Sequence, residues 1–181
     1  MTSLQKIAMG LLIVVLDADL GGFDAVPDVL GWVLALLGVR DLRRDLPGAG
    51  TLLGIGGLAA AVSLVLLRPA WTEQAPESTG WLLSLPQLAF CLVLCAAMAR
   101  YVGVGPGAHR PDLERRYTLL RWAFVVVAAG PLPLYGAGVD VLLVPLAVLT
   151  VATNVYLVYL LFQSSRVGPP PHARTAPEPT P

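Results

Sequence analysis

The chain has 181 residues, of which 56% are hydrophobic and 13% charged, with a mean hydropathy of +0.71 and a formal net charge of zero. A water-soluble domain carries about 25% charged residues, so a soluble globular enzyme, a disulfide scaffold and a disordered chain are all excluded. Without a net basic field, nucleic acid is not an expected partner. The expected partners are the lipid bilayer and, beyond it, another membrane protein.

In lipid the backbone must satisfy its own hydrogen bonds, so the long apolar runs predict helices. Period-two alternation is absent, which argues against a barrel. A first segment is expected over about residues 4–20. Its start resembles a signal peptide, but Asp17 and Asp19 stand where a small-residue cleavage site would be needed. It is therefore read as retained. The second segment covers about 25–42. Only ten uncharged residues separate Lys6 from Asp17, and eleven separate Asp28 from Arg40, against about 20 for a full crossing. This first pair reads either as two short spans or as a re-entrant hairpin.

Segments at 46–67 and 78–99 are the clearest. Pro111 to Arg116 then opens a helix, with proline first and acids in its first turn. The span that follows is expected over 117–136, and Gly130-Pro-Leu-Pro133 predicts a kink or unwound end near residue 130. A sixth segment covers 141–162. The proline-rich stretch 164–181 reads as a disordered cytoplasmic tail, leaving 1–163 as the transmembrane domain. Trp32, Trp71 and Trp81 fall near expected interfaces, where indole rings anchor, and Arg115, Arg116 and Arg121 are expected to snorkel to cytoplasmic headgroups. The fold class is an all-α integral membrane bundle of about six transmembrane helices.

Arginine and lysine set the orientation of such a bundle. With six crossings and a cytoplasmic N-terminus, only Arg68 falls outside. Lys6 and every other arginine, from Arg40 to Arg174, fall inside. The outer connections instead carry Asp17, Asp19, Asp24, Asp28, Glu73, Glu77 and Asp140. Eleven arginines against one lysine, with abundant Ala, Gly, Pro and Val, point to a GC-rich bacterial genome. The expected location is the bacterial cytoplasmic membrane, with both termini inside.

Helices in lipid pack closely where small residues line one face. Gly31, Ala35 and Gly38 form such a stripe in the second segment. Gly50, Gly54, Gly57 and Ala61 form the most regular one, in the third; the fourth carries Ser84, Gln87, Cys91 and Cys95. These stripes are expected to serve packing within the chain rather than between copies. Cys91 and Cys95 lie four apart, too few for a zinc site and poorly directed for a disulfide; they read as small packing residues.

Four carboxylates stand between Leu16 and Trp32. Asp24 and Asp28, four apart, share one helical face, and Asp17 would approach them across the Gly21-Gly22 turn. Clustered carboxylates suit a hard cation, Ca2+ or Mg2+, so Asp17, Asp24 and Asp28 are the candidate metal ligands; no other cofactor is expected. Pairing with a cationic substrate group is a second reading. Helix capping by Asp24, with Pro27 in the first turn, is a third. The pattern Gly22-Phe-Asp-x-x-Pro-Asp-x-x-Gly-Trp32, after an apolar helix ending in Asp, resembles a hairpin of small multi-pass bacterial membrane proteins of uncharacterised function. That resemblance covers about residues 4–42 and implies a recurrent helical hairpin, with no activity attached.

Three functions compete. The leading one is a non-enzymatic inner-membrane protein, structural or accessory, because no nucleophile–base set occurs and His109 and His172 fit no catalytic or metal spacing. A small transporter or channel for a neutral or amphipathic solute is the alternative, with Gln87, Thr150 and Asn154 as candidate lining residues beside the broken fifth helix. The third is a metal-dependent lipid enzyme built on the acidic hairpin.

Overall fold

Thr2 and Gln5 start the first helix by exchanging hydrogen bonds: Gln5 Oε1 accepts from the Thr2 amide at 2.9 Å, and Thr2 Oγ1 accepts from the Gln5 amide at 3.3 Å. This reciprocal cap satisfies two donors that a helix start would otherwise leave open. The computed structural model describes residues 1–17, 28–66, 77–104, 110–133 and 140–166. Those residues are helical throughout their regular parts, with no strand among them. The helices are α1 (Ser3–Asp17), α2 (Asp28–Asp41), α3 (Ala49–Leu66), α4 (Glu77–Val104), α5 (Pro111–Ala129) and α6 (Leu143–Ser165), the last preceded by a 3-10 turn at Asp140–Leu142.

Each helix packs against its neighbours in sequence, and α6 returns to α1, closing a ring. Contacts near their ends make successive neighbours antiparallel. Lys6 pairs with Asp41 at 2.6 Å at one end of the α1–α2 hairpin, and Gly10 meets Gly31 and Ala35 further along. Gly48 approaches Arg100 and Gly56 approaches Phe90, so α3 and α4 run in opposite directions. Gly103 faces Glu114, while the Trp81 indole donates to the Ala128 carbonyl at 3.2 Å. Tyr117 and Ser164 share a buried 2.9 Å hydrogen bond, and Gly130 meets Leu146.

The core follows from these pairings. Ile7, Leu11, Trp32, Val39, Leu52, Phe90, Leu94, Met98, Tyr117, Phe124, Leu157 and Leu161 are all nearly inaccessible. Cys91 and Cys95 are free thiols buried among them, as small packing residues should be. The stripe Gly31, Ala35, Gly38 of α2 lies against α1, where a side chain at Gly38 would come within 2.6 Å of the Ser3 carbonyl. At the α2–α3 turn, Gly48 has φ +79°, a conformation that L side chains rarely adopt.

Two expectations need correction. The α3 stripe does not pack inside the bundle: Gly50, Gly54, Gly57 and Ala61 are exposed, and nothing among the described residues lies within 4 Å of a side chain built on the three glycines. The inward face of α3 is instead Leu52, Gly56 and Ala59, two positions out of phase and so on the opposite side of the helix. Trp32 is no interfacial anchor; it is 1% exposed, and its ring meets Phe90 edge-on at 5.2 Å. As expected, the fifth helix opens at Pro111 and is interrupted near residue 130: its regular part ends at Ala129, because Pro131 and Pro133 cannot donate to the preceding turn, and residues 134–136 of the expected span lie outside the described residues. Gly130 stays helical, and its missing side chain admits Leu146 of α6.

By length and composition, two helices can cross a membrane, Gly80–Gly103 and Leu143–Ser165. The described parts of α1 and α2 have 15 and 14 residues, about 22 Å each at 1.5 Å per residue. That falls short of a ~30 Å hydrocarbon core. The proposed tail boundary at 164 is crossed by α6, which continues to Ser165; residues 167–181 lie outside the described residues, as does Trp71.

The Tyr117–Ser164 bond ties α5 to α6 within a buried contact. Tyr117→Phe is expected to lower stability by about 0.6–1.7 kcal/mol, the range of interhelical hydrogen bonds in membrane bundles. Denaturation in mixed micelles, with Ser164→Ala and the double variant completing a thermodynamic cycle, measures the coupling.

Candidate functional site

The acidic hairpin falls largely outside the described residues. Asp19 and Asp24 are not described, and Asp17 is placed only as the last residue of α1. Asp28 is the first residue of α2, half-buried, four residues before Trp32. Among the described residues no three His, Cys, Asp or Glu side chains gather in a metal-binding group.

The candidate lining residues do not share a wall. Gln87 is half-buried on α4, whereas Thr150 and Asn154 are on α6, across α5 in the ring. Thr150, Thr153 and Asn154 bond to their own helix. Thr150 Oγ1 donates to the Leu146 carbonyl at 2.8 Å, Asn154 Nδ2 donates to the Thr150 carbonyl at 2.8 Å, and Thr153 Oγ1 donates to the Leu149 carbonyl. Such i−4 bonds satisfy a hydroxyl or amide without a solute.

What the structure adds is a cavity of about 470 Å³ between α4 and α5, lined by Cys95, Ala96, Ala99, Arg100, Glu114, Thr118 and Arg121. Its origin is local. Residues 96, 99, 100 and 103 fall on one face of α4, and 114, 118 and 121 on one face of α5, at helical i, i+3/i+4, i+7 spacing. Small side chains on α4 thus oppose long ones on α5, and the space between is not filled. The helices touch at both ends of the gap, at Gly103–Glu114 and Trp81–Ala128.

The charges around this cavity are unusual for their depth. Arg121 lies ten residues into α5, about 15 Å along the axis from Pro111. It is half-buried, and its guanidinium sits 5.7 Å from the centre of the Trp122 ring. Among the described residues the ion pair within 4 Å is Lys6–Asp41, so Glu114 forms none with Arg100 or Arg121. The exposed Thr118 hydroxyl donates to the Glu114 carbonyl at 2.9 Å.

Sequence reasoning named Arg121 only as a snorkelling cation and missed its partnership with Arg100. The readable signal was the Glu114–Thr118–Arg121 spacing, opposite the smallest stretch of α4. No protein-family model, curated protein or solved structure matches the chain.

Proposed function

We propose that the chain is a six-span helical protein of the bacterial cytoplasmic membrane, with both termini cytoplasmic and a non-enzymatic, structural or accessory role. The observation that carries this reading is how charge is arranged on the ring. Because neighbouring helices are antiparallel, Lys6 and the described arginines from Arg40 to Arg116, with Arg166, fall toward one end, while Arg121 stands near the middle of α5. Asp17, Asp28, Glu77 and Asp140 begin or end elements at the other.

The outward faces between those ends are apolar. On α6, Val144, Val148, Val151 and Val155 are 52–67% exposed at i, i+4, i+7, i+11. Exposed α2 and α3 positions include Leu30, Val33, Leu37, Leu58 and Leu64. Soluble monomers rarely expose contiguous apolar patches beyond a few hundred Å², whereas lipid is the solvent such a surface matches. The short α1–α2 pair suits either a tilted crossing of thinned bilayer or a re-entrant hairpin, and both leave the later helices oriented alike. An accessory role fits a sequence without a nucleophile–base set.

The test is extraction and topology. The protein is expected to stay in the membrane pellet after alkaline carbonate washing. A fluorescent protein fused after residue 181 is expected to fluoresce, and alkaline phosphatase inserted at 72–76 to be active. Release by carbonate, or an active phosphatase at the C-terminus, would overturn the reading. Cross-linking in native membranes then tests the accessory role by capturing, or failing to capture, a membrane-protein partner.

A further inference from the structure

We propose that the cavity between α4 and α5 is a binding site for the phosphate of an anionic phospholipid, held between Arg100 and Arg121. Guanidinium groups match phosphate with paired N–H donors, and Arg100 and Arg121 line one 470 Å³ space with no carboxylate of the described residues within ion-pair distance. Arg100, Arg121 and the single acid Glu114 give the lining residues one net positive charge. That balance selects a net anion over a zwitterion. Basic pockets between helices on the arginine-rich side of a membrane protein are where anionic headgroups bind.

The surface beside the cavity distinguishes a lipid from a free phosphate. Leu119, Trp122 and Val126 continue down α5 at i, i+3, i+7, and they are 60%, 57% and 54% exposed. An uninterrupted apolar stripe thus leads from the Arg121–Trp122 contact toward the opposite end of the helix, where acyl chains would lie. Glu114, and the Thr118 hydroxyl as acceptor, stand at the cavity to receive hydroxyls of a polyol headgroup. A soluble anion would use the arginines and leave that stripe without a role.

The inference rests on the membrane reading, and its test separates the two. Purified full-length protein in detergent is titrated with phosphatidylglycerol, phosphatidylethanolamine or phosphatidylcholine, and bound lipid is followed by native mass spectrometry. Phosphatidylglycerol is expected to bind about tenfold or more tightly than either zwitterion, a difference that R100Q/R121Q removes. R43Q/R44Q, which removes exposed charge of the α2–α3 turn outside the cavity, is expected to bind as the wild type does. Thermal melting confirms that the variants fold, and R100Q alone, at the exposed rim, serves if R121Q does not. Equal affinity for the three headgroups, or equal loss in R43Q/R44Q, would overturn the site. Displacement of phosphatidylglycerol by inorganic phosphate at millimolar concentration would assign the arginines to a soluble anion and overturn the lipid. Failure of headgroup selectivity in a protein that resists carbonate extraction removes this site and leaves the membrane reading standing.

Discussion

Gly10→Leu is expected to be the most damaging single substitution in the described part of the chain. A Cβ at Gly10 would sit 2.6 Å from the Ala35 amide and 2.9 Å from its methyl, and it would strike the Gly31 carbonyl. Most of these neighbours are backbone, which cannot rotate aside as a flexible side chain can. The α1–α2 contact would have to open along its length, because Gly31 and Gly38 hold the same approach from the other helix. Overpacking of this kind costs on the order of 3 kcal/mol or more, a large share of a total stability of roughly 5–15 kcal/mol. Gly54→Leu is the matched control. Its side chain would enter open space on the outer face of α3, so stability should stay within about 0.5 kcal/mol. Heating both variants in detergent and measuring the monodisperse fraction by gel filtration checks the pair. Collapse of Gly54→Leu with survival of Gly10→Leu would reverse the assignment of which glycines face inward.

Phe90→Ala carries the second largest effect. Phe90 is fully buried where α2, α3 and α4 meet; it receives the Trp32 edge and leaves a side chain at Gly56 only 3.0 Å of room. In water such a truncation costs about 3–5 kcal/mol, part of it the transfer of the ring away from solvent. In lipid that transfer term vanishes, because acyl chains are as apolar as the core. Only the lost packing and the void remain, on the order of 2 kcal/mol. Reversible unfolding in mixed micelles gives the number. A cost at or above 4 kcal/mol would mean that water, not lipid, is the reference solvent, and the membrane reading would lose its energetic basis.

Much of the architecture could be read from residue order alone. Apolar run lengths located all six helices within a few residues at most ends, since a segment that must bury or lipid-solvate its backbone has few alternatives to helix. Pro111 with Asp112 and Glu114 marked the start of α5, because proline at the first position and acids in the first turn favour that end. The Gly31–Ala35–Gly38 stripe named the face of α2 that meets α1.

Facing, by contrast, was undetermined wherever both sides of a helix are apolar. On α3 the glycine stripe and the Leu52–Gly56–Ala59 face are chemically alike, and only the positions of α2 and α4 decided which turned inward. Trp32 has the composition of an interface anchor, and contact with Phe90 made it core. Arg100 and Arg121 stand 21 positions apart, and no local pattern joins them. The antiparallel return of α5 along α4 set both residues in the lining of one space. Hydropathy along the chain thus settled the all-helical class of the structure, because it is a property of each segment in its surroundings. Which neutral face meets a neighbour, and which distant charges share a cavity, depend on shape matching between helices, and that is decided only when all six pack together.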